Sequence, residues 1–362
     1  MVDILRINNP INSHTHLRGD QESHKGDISS ETKAALAGGF TTILAMPNTQ
    51  PPLVNKEILE RKIYQAESQA NCILGLYAGA TDTNSDCIHE ISEKVCALKI
   101  YLDNTTGDLK ITDREALENH FKNWKGPGPI CVHAEEDYGS LTKALTLAAV
   151  YQRPLHVCHV SSVEEVELIT RAKELNWPVT CEVTPHHLHF TEDDINNYLG
   201  NYGIVKPPLK TKADVECLWN AIRNGVIDII ADDHAPHTRE EKESDNPPSG
   251  IPGLETTIPL MLTAVNEGKI SLERLIKMLT VNPQKIFHLP VTDETYTEID
   301  LTKTYFLDES GLKTKCGHSP YKNHPLRGKV RKVCIRGQMV YKDGEVFPYP
   351  QKEELVIKNY AR

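Results

Sequence analysis

One alternation runs through most of this chain: a short apolar, β-branched run, then a longer stretch whose apolar residues recur at helical spacing among charges. Eight such runs can be read, at 6–12, 41–46, 72–77, 97–102, 129–134, 155–160, 179–183 and 226–231. Helical patterns lie between them, such as 30–37, stopped by Gly38-Gly39, then 56–70, and 162–176, which opens on Ser161-Ser162 and an acidic first turn. Strand then helix, eight times over, specifies an α/β chain folded as a (β/α)8 barrel. A doubly wound open sheet shares the alternation but opens with a glycine-rich phosphate loop after its first strand, and none is present.

Length leaves room for more than the barrel. The 362 residues exceed the ~250 of a plain barrel, and from about Lys285 the pattern changes to short strands and turns, as in Lys342-Asp343-Gly344. The expected division is a barrel over 11–285 and a small β appendage built from 1–10 and 286–362. Between the seventh and eighth runs, Pro207-Pro208 marks an irregular excursion near the barrel mouth.

Charge and cysteine usage narrow the setting. Forty basic against fifty acidic residues leave a net charge of -10, and the basic residues are scattered, so no nucleic-acid footprint is present. No apolar run approaches the ~18 residues of a membrane helix, and the N-terminus lacks the basic and apolar regions of a secretory signal. Nine cysteines at irregular spacing, several inside apolar runs, read as reduced, buried thiols. The expected location is the cytoplasm.

In a parallel barrel the active site is assembled at the C-terminal ends of the strands, and there the polar residues of this sequence collect. The first run leads into His14-Thr15-His16-Leu17-Arg18 and the second into Pro47-Asn48-Thr49; the fourth holds Lys99, the fifth His133, the sixth Cys158-His159, the seventh Glu182, and the eighth leads into Asp233-His234 with His237 beyond. Sixteen histidines make roughly 0.7 His-x-His pairs by chance, so the first doublet alone is weak evidence of a metal site. On a strand, though, positions i and i+2 share a face, and His14 and His16 can aim two imidazoles at one ion. Arg18, four residues from His14, stays on that side of an extended chain.

Lys99 sits among Ala97, Leu98 and Ile100, where an inward ammonium is costly. Two readings stand. It is either salt-bridged to an interior carboxylate such as Asp233, or neutralised by burial and able to add carbon dioxide, becoming a carbamate that bridges two cations.

Taken together, His14-x-His16-x-Arg18, Met46-Pro47-Asn48-Thr49, Lys99, His133, His159, Asp233-His234-Ala235-Pro236-His237 and Gly250-Ile251-Pro252-Gly253-Leu254-Glu255-Thr256 resemble the dihydroorotases of the amidohydrolase superfamily. The likeness runs in order from about residue 11 to the C-terminus, though Asn12 stands where family members usually carry an acidic residue. It implies a (β/α)8 barrel with a small β domain and two zinc ions: His14, His16 and Asp233 on one, His133 and His159 on the other, carboxylated Lys99 and a hydroxide bridging both. It implies Asp233 as general acid and base, and Arg18, Asn48 and His237 as contacts to L-dihydroorotate or N-carbamoyl-L-aspartate.

Other residues carry two readings each. Thr105 and Thr106 lie in a polar stretch that reads as a turn, and by resemblance as a lid over substrate. Cys158 and Glu182 are either a further metal site with His14, or a buried thiol and a carboxylate orienting a ligand histidine; His186, His187 and His189 read as supporting residues. Rival functions are a hydantoinase or allantoinase using the same metals, and an inactive scaffold for aspartate transcarbamoylase. A homodimer and an association with that transcarbamoylase are the expected partnerships besides the small-molecule substrate.

Overall fold

The computed structural model describes residues 3–104, 109–134 and 138–360. The chain opens with strand β1 (Ile4–Asn8), breaks at Asn9, where φ is 49°, and Pro10, and restarts as β2 (Ile11–Thr15). The run expected as one strand over 6–12 is therefore two strands in two different sheets. Proline has no N–H for a ladder, and Ile7 and Ile11 on either side of the break are both buried, so their apolar pattern reads as continuous.

The barrel follows in β3 (Thr42–Ala45), β4 (Ile73–Leu76), β5 (Ala78–Gly79), β6 (Leu98–Tyr101), β7 (Ile130–His133), β8 (Leu155–Val157), β9 (Val179–Val183) and β10 (Ile229–Ile230). Pairing is parallel throughout, β2-β3-β4 on one arc and β5 to β10 in sequence on the other. Tyr77 links β4 to β5 as one stave, so there are eight. A bridge between Thr15 and His234, with the His16 N–H donating to the His234 carbonyl at 2.7 Å, closes the ring. From β2 through β8 every strand residue is buried, as expected of parallel strands covered on both faces.

Local sequence sets where the surrounding helices begin and end. The helix Ile28–Gly38 starts on a reciprocal Asp27–Ser30 capping box and ends at left-handed Gly39, with φ 94°. A β-carbon on Gly38 would lie 1.8 Å from the Leu254 carbonyl oxygen, so only glycine lets this helix approach that loop. Ser162 and Glu165 form the same box ahead of Val163–Glu174.

Four strands complete the second sheet: β11 (Tyr296–Phe306), β12 (Pro325–Ile335), β13 (Gln338–Lys342) and β14 (Glu345–Val346), antiparallel in the order β1-β11-β12-β13-β14. Two of them are 11 residues long, not the short strands expected; their outward positions carry Lys and Thr, which blurs the apolar pattern. Ile299, Val330 and Val333 join the same continuous core as Ile43 and Leu44. The chain then returns to the barrel, where the Ile357 N–H donates to the Leu74 carbonyl at 2.9 Å. Among the described residues no helix is long and apolar enough to cross a membrane.

Candidate metal centre

Glu182, in β9, fixes the first histidine. It accepts from His14 Nδ1 at 2.5 Å, from the Ser13 hydroxyl at 3.0 Å, and pairs with His156 Nε2 at 3.2 Å, all three partners buried. That contact commits His14 Nδ1–H to Glu182 and leaves Nε2 facing Asp233 Oδ1, 3.1 Å away. His16 Nε2 meets the same oxygen at 2.9 Å while its Nδ1 is held by Asn48 Oδ1 at 2.7 Å. On the opposite side His133 Nδ1 and His159 Nε2 face each other at 2.9 Å. Ring nitrogens of His14 and His159 and an oxygen of Asp233 all lie within 4.8 Å of one another.

Backbone geometry beyond the strands brings several of these groups inward. Arg18, His159 and Asp233 have φ of 61°, 35° and 45°, a left-handed conformation that costs a non-glycine residue about 1–2 kcal/mol. Arg18 thus lies beyond the end of β2 at Thr15 in a left-handed conformation, and not in the extended alternation expected of it. Its Nη2 meets His237 Nε2 at 3.0 Å and its Nε donates to the Pro236 carbonyl at 3.2 Å. A cleft lined by His16, Arg18, Asn48, Lys206, Asp233 and Gly250 opens beside the ligand cluster.

Lys99 is fully buried and donates from Nζ to Cys158 Sγ at 2.9 Å. The salt bridge to Asp233 is not formed, because Asp233 is taken by the two histidines. His14, Cys158 and Glu182 also present one ligand atom each within 4.8 Å, so the two readings of Cys158 and Glu182 share one geometry. Thr105 and Thr106 lie outside the described residues. His187 is tied to Thr184 Oγ1 at 2.7 Å and to the Pro207 carbonyl at 3.1 Å, and His189 to the Pro185 carbonyl at 2.9 Å.

The electrostatics suit a cation. Burial opposes the charge of Asp233 and Glu182, yet the imidazoles of His14 and His16 for the first, and His14 and His156 for the second, hold both carboxyls well below their usual range. Burial drops His16 to about 4 and, with the charges of His133 and Lys99, keeps His159 well below 6.5, so both rings keep a free lone pair at neutral pH. Burial also pulls His14 down, but Asp233 and Glu182 outweigh it and raise it. The field that holds a proton on His14 is one that a divalent cation can satisfy in its place. His159 Nδ1 is buried with no hydrogen-bond partner among the described residues. Imidazoles with ionised carboxylates are a donor set for zinc or a similar divalent ion.

The sequence model of the amidohydrolase family matches residues 10–292. The chain belongs to the amidohydrolase family. Amidohydrolases are hydrolases and generally depend on metal, in keeping with the donor set above. The multifunctional protein CAD of Squalus acanthias is 42% identical over 347 residues, which is 96% of this chain and 15% of that protein; the chain thus spans a small part of that relative's length. A dihydroorotase of Pyrococcus abyssi is 35% identical over 359 residues, covering 96% of this chain and 86% of its own. Among solved structures, the L-hydantoinase (dihydropyrimidinase) from Arthrobacter aurescens superposes with a TM-score of 0.89 at 27% identity, over 95% of this chain and 86% of that one. The barrel with an added β sheet read from the sequence is the observed fold.

Two residues at this amidohydrolase site escaped the sequence reading. Lys206 lines the cleft and directly precedes the Pro207-Pro208 excursion, whose irregularity was its only signal. Glu31, buried in the helix after β2, accepts from His234 Nε2 at 2.8 Å and so braces the neighbour of Asp233. An acidic residue within a helix carries no mark that tells a buried position from a solvated one.

Proposed function

We propose that this amidohydrolase is a dihydroorotase, interconverting L-dihydroorotate and N-carbamoyl-L-aspartate, a step of pyrimidine synthesis. The observation that carries the reading is the Arg18 guanidinium, buried and fixed by His237 and Pro236 at the edge of the ligand cluster. A buried guanidinium favours a substrate carboxylate as its bidentate partner, which dihydroorotate has and which unsubstituted hydantoin and dihydrouracil rings lack. The named relatives over four-fifths of whose length the chain aligns are dihydroorotases, and that supports the same substrate. Lys206 at the cleft rim adds a second cation for an anionic ligand.

His14, His16 and Asp233 would hold one zinc ion, His133 and His159 another, with Lys99 as a carbamate between them. Bound there, the two ions acidify a water into a nucleophile at neutral pH and polarise the amide carbonyl. Asp233 accepts the proton of the attacking water and passes it to the departing ring nitrogen, and ring closure runs the same transfers backward. Arg18 grips the carboxylate, with His237 fixing the guanidinium and Asn48 fixing His16. Glu182 orients His14; a third cation with Cys158 would have to displace the Lys99 contact to that thiol.

A barrel unit over 11–285, with 1–10 and 286–362 as its β appendage, is our division of the chain. Nine unpaired cysteines, most of them buried, support a cytoplasmic setting. Likeness to multifunctional proteins supports work beside other activities; aspartate transcarbamoylase is the partner we propose, and co-purification reads it out, as sedimentation does a homodimer. The test of the substrate is Arg18→Met: we expect KM for dihydroorotate to rise about 100-fold with bound metal unchanged, and an unchanged KM removes Arg18 from the carboxylate site.

A further inference from the structure

Tyr101 ends β6 two residues after Lys99, so both side chains leave the strand on the same face, toward the barrel interior. Its ring centroid lies 5.0 Å from Lys99 Nζ and 6.0 Å from the centroid of the His133 imidazole. The residue is 2% exposed, and its hydroxyl has no hydrogen-bond partner among the described residues. An unpaired buried hydroxyl costs about 1–3 kcal/mol, and such groups are scarce enough to require a reason. Phenylalanine would fill the same space without that cost.

The surroundings of the hydroxyl supply the reason. The charges of Asp233 and Arg18, two residues that line the cleft, both reach Tyr101. A phenol is an ordinary neutral donor, and burial between these groups fixes this one in place. Arg18 accounts for the substrate carboxylate. Of the two ring carbonyls that remain, the one that gains charge is the one under attack, and Tyr101 lies against Lys99 and His133, residues of the proposed attacking centre.

Resting on the dihydroorotase reading, we propose that the Tyr101 hydroxyl is a catalytic hydrogen-bond donor to the substrate carbonyl oxygen that gains negative charge as the ring amide is attacked. As the water oxygen bonds to the carbonyl carbon, the π pair of the carbonyl moves onto the carbonyl oxygen. Tyr101 stabilises the charge without giving up its proton. When the C–N bond breaks, the pair returns to re-form the carbonyl and the nitrogen takes its proton from Asp233. A preorganised donor of this kind strengthens in the transition state more than in the ground state, so its weight falls on kcat.

The test is Tyr101→Phe in the full, zinc-loaded chain, assayed for opening of L-dihydroorotate with metal content, the intact mass at Lys99 and thermal stability measured alongside. We expect kcat to fall about 100-fold, KM to stay within about 3-fold, metal content and Lys99 carboxylation to stand unchanged, and Tm to hold or rise because an unpaired hydroxyl is gone. An unaltered kcat overturns the proposal. So does loss of metal or of carboxylation, which would assign the hydroxyl to Lys99, and so does a fall in Tm matching the loss of rate, which would make it structural. If the unsubstituted protein opens another cyclic amide and not dihydroorotate, the substrate reading fails by itself, and the same comparison on that amide still decides Tyr101.

Discussion

Lys99 is the side chain on which the proposed chemistry of this site most depends. The sequence marks it because a lysine in an apolar strand is anomalous, and the structure finds it fully buried, on a thiol and not on a carboxylate. A carbamate there would replace the contact to that thiol with two anionic oxygens aimed at the ligand histidines. Lys99→Ala is expected to lose both metal and activity, with short carboxylic acids restoring part of each; two tightly held zinc ions in that variant would contradict a bridging carbamate. Residue identity was legible wherever strand period 2 governs, as for His14, His16 and Lys99. What was not legible was the backbone beyond the strands: Arg18, His159 and Asp233 were named, but the left-handed conformations that aim their side chains are announced by no pattern of residue types. Tyr101 shows the reverse case, since the alternation that singled out Lys99 points equally at the residue two further on.

At the scale of elements, Glu31 ties three pieces together. From the helix Ile28–Gly38 its Oε2 accepts from His234 Nε2 at 2.8 Å and from the Thr314 hydroxyl at 2.6 Å, and its Oε1 from the Lys315 N–H at 3.1 Å. His234 in turn receives the Gly253 N–H on Nδ1 at 3.2 Å and closes the barrel against Thr15. Glu31→Gln turns one acceptor oxygen into a donor facing these groups, and we expect it to cost about 3 kcal/mol, seen as a lower urea midpoint with unchanged m-value. A loss below about 0.5 kcal/mol would show that the brace is dispensable. Eight-fold alternation made the barrel legible, whereas the break between β1 and β2 was hidden because buried isoleucines on both sides continue one apolar run across Pro10. The long strands β11 and β12 were foreshortened by their polar outward positions.

For the whole molecule, the joint between barrel and C-terminal segment holds a carboxyl from which a pH-dependent stability is expected. Glu255 accepts from the N–H groups of Lys313 and Thr314, yet burial, with the nearby Glu31 charge, lifts its carboxyl from 4.5 to about 7. A raised carboxyl pKa means that the folded chain holds a proton the unfolded chain has released. Its contribution to stability is therefore fully present below 4.5, and is lost as pH rises toward 7. Glu255→Gln is expected to remove that slope, worth up to about 3 kcal/mol, and parallel stability profiles for the two proteins would refute it.

Across the molecule, the ligand cluster and the buried guanidinium support the proposed carboxylated substrate. The most direct measurement is the rate at which the zinc-loaded protein opens L-dihydroorotate, run beside dihydrouracil, hydantoin and allantoin. Preferred turnover of dihydroorotate is the expected result. Activity confined to rings without a carboxylate would contradict the substrate while leaving the metal centre, and inactivity on every ring with zinc bound would contradict the enzyme itself.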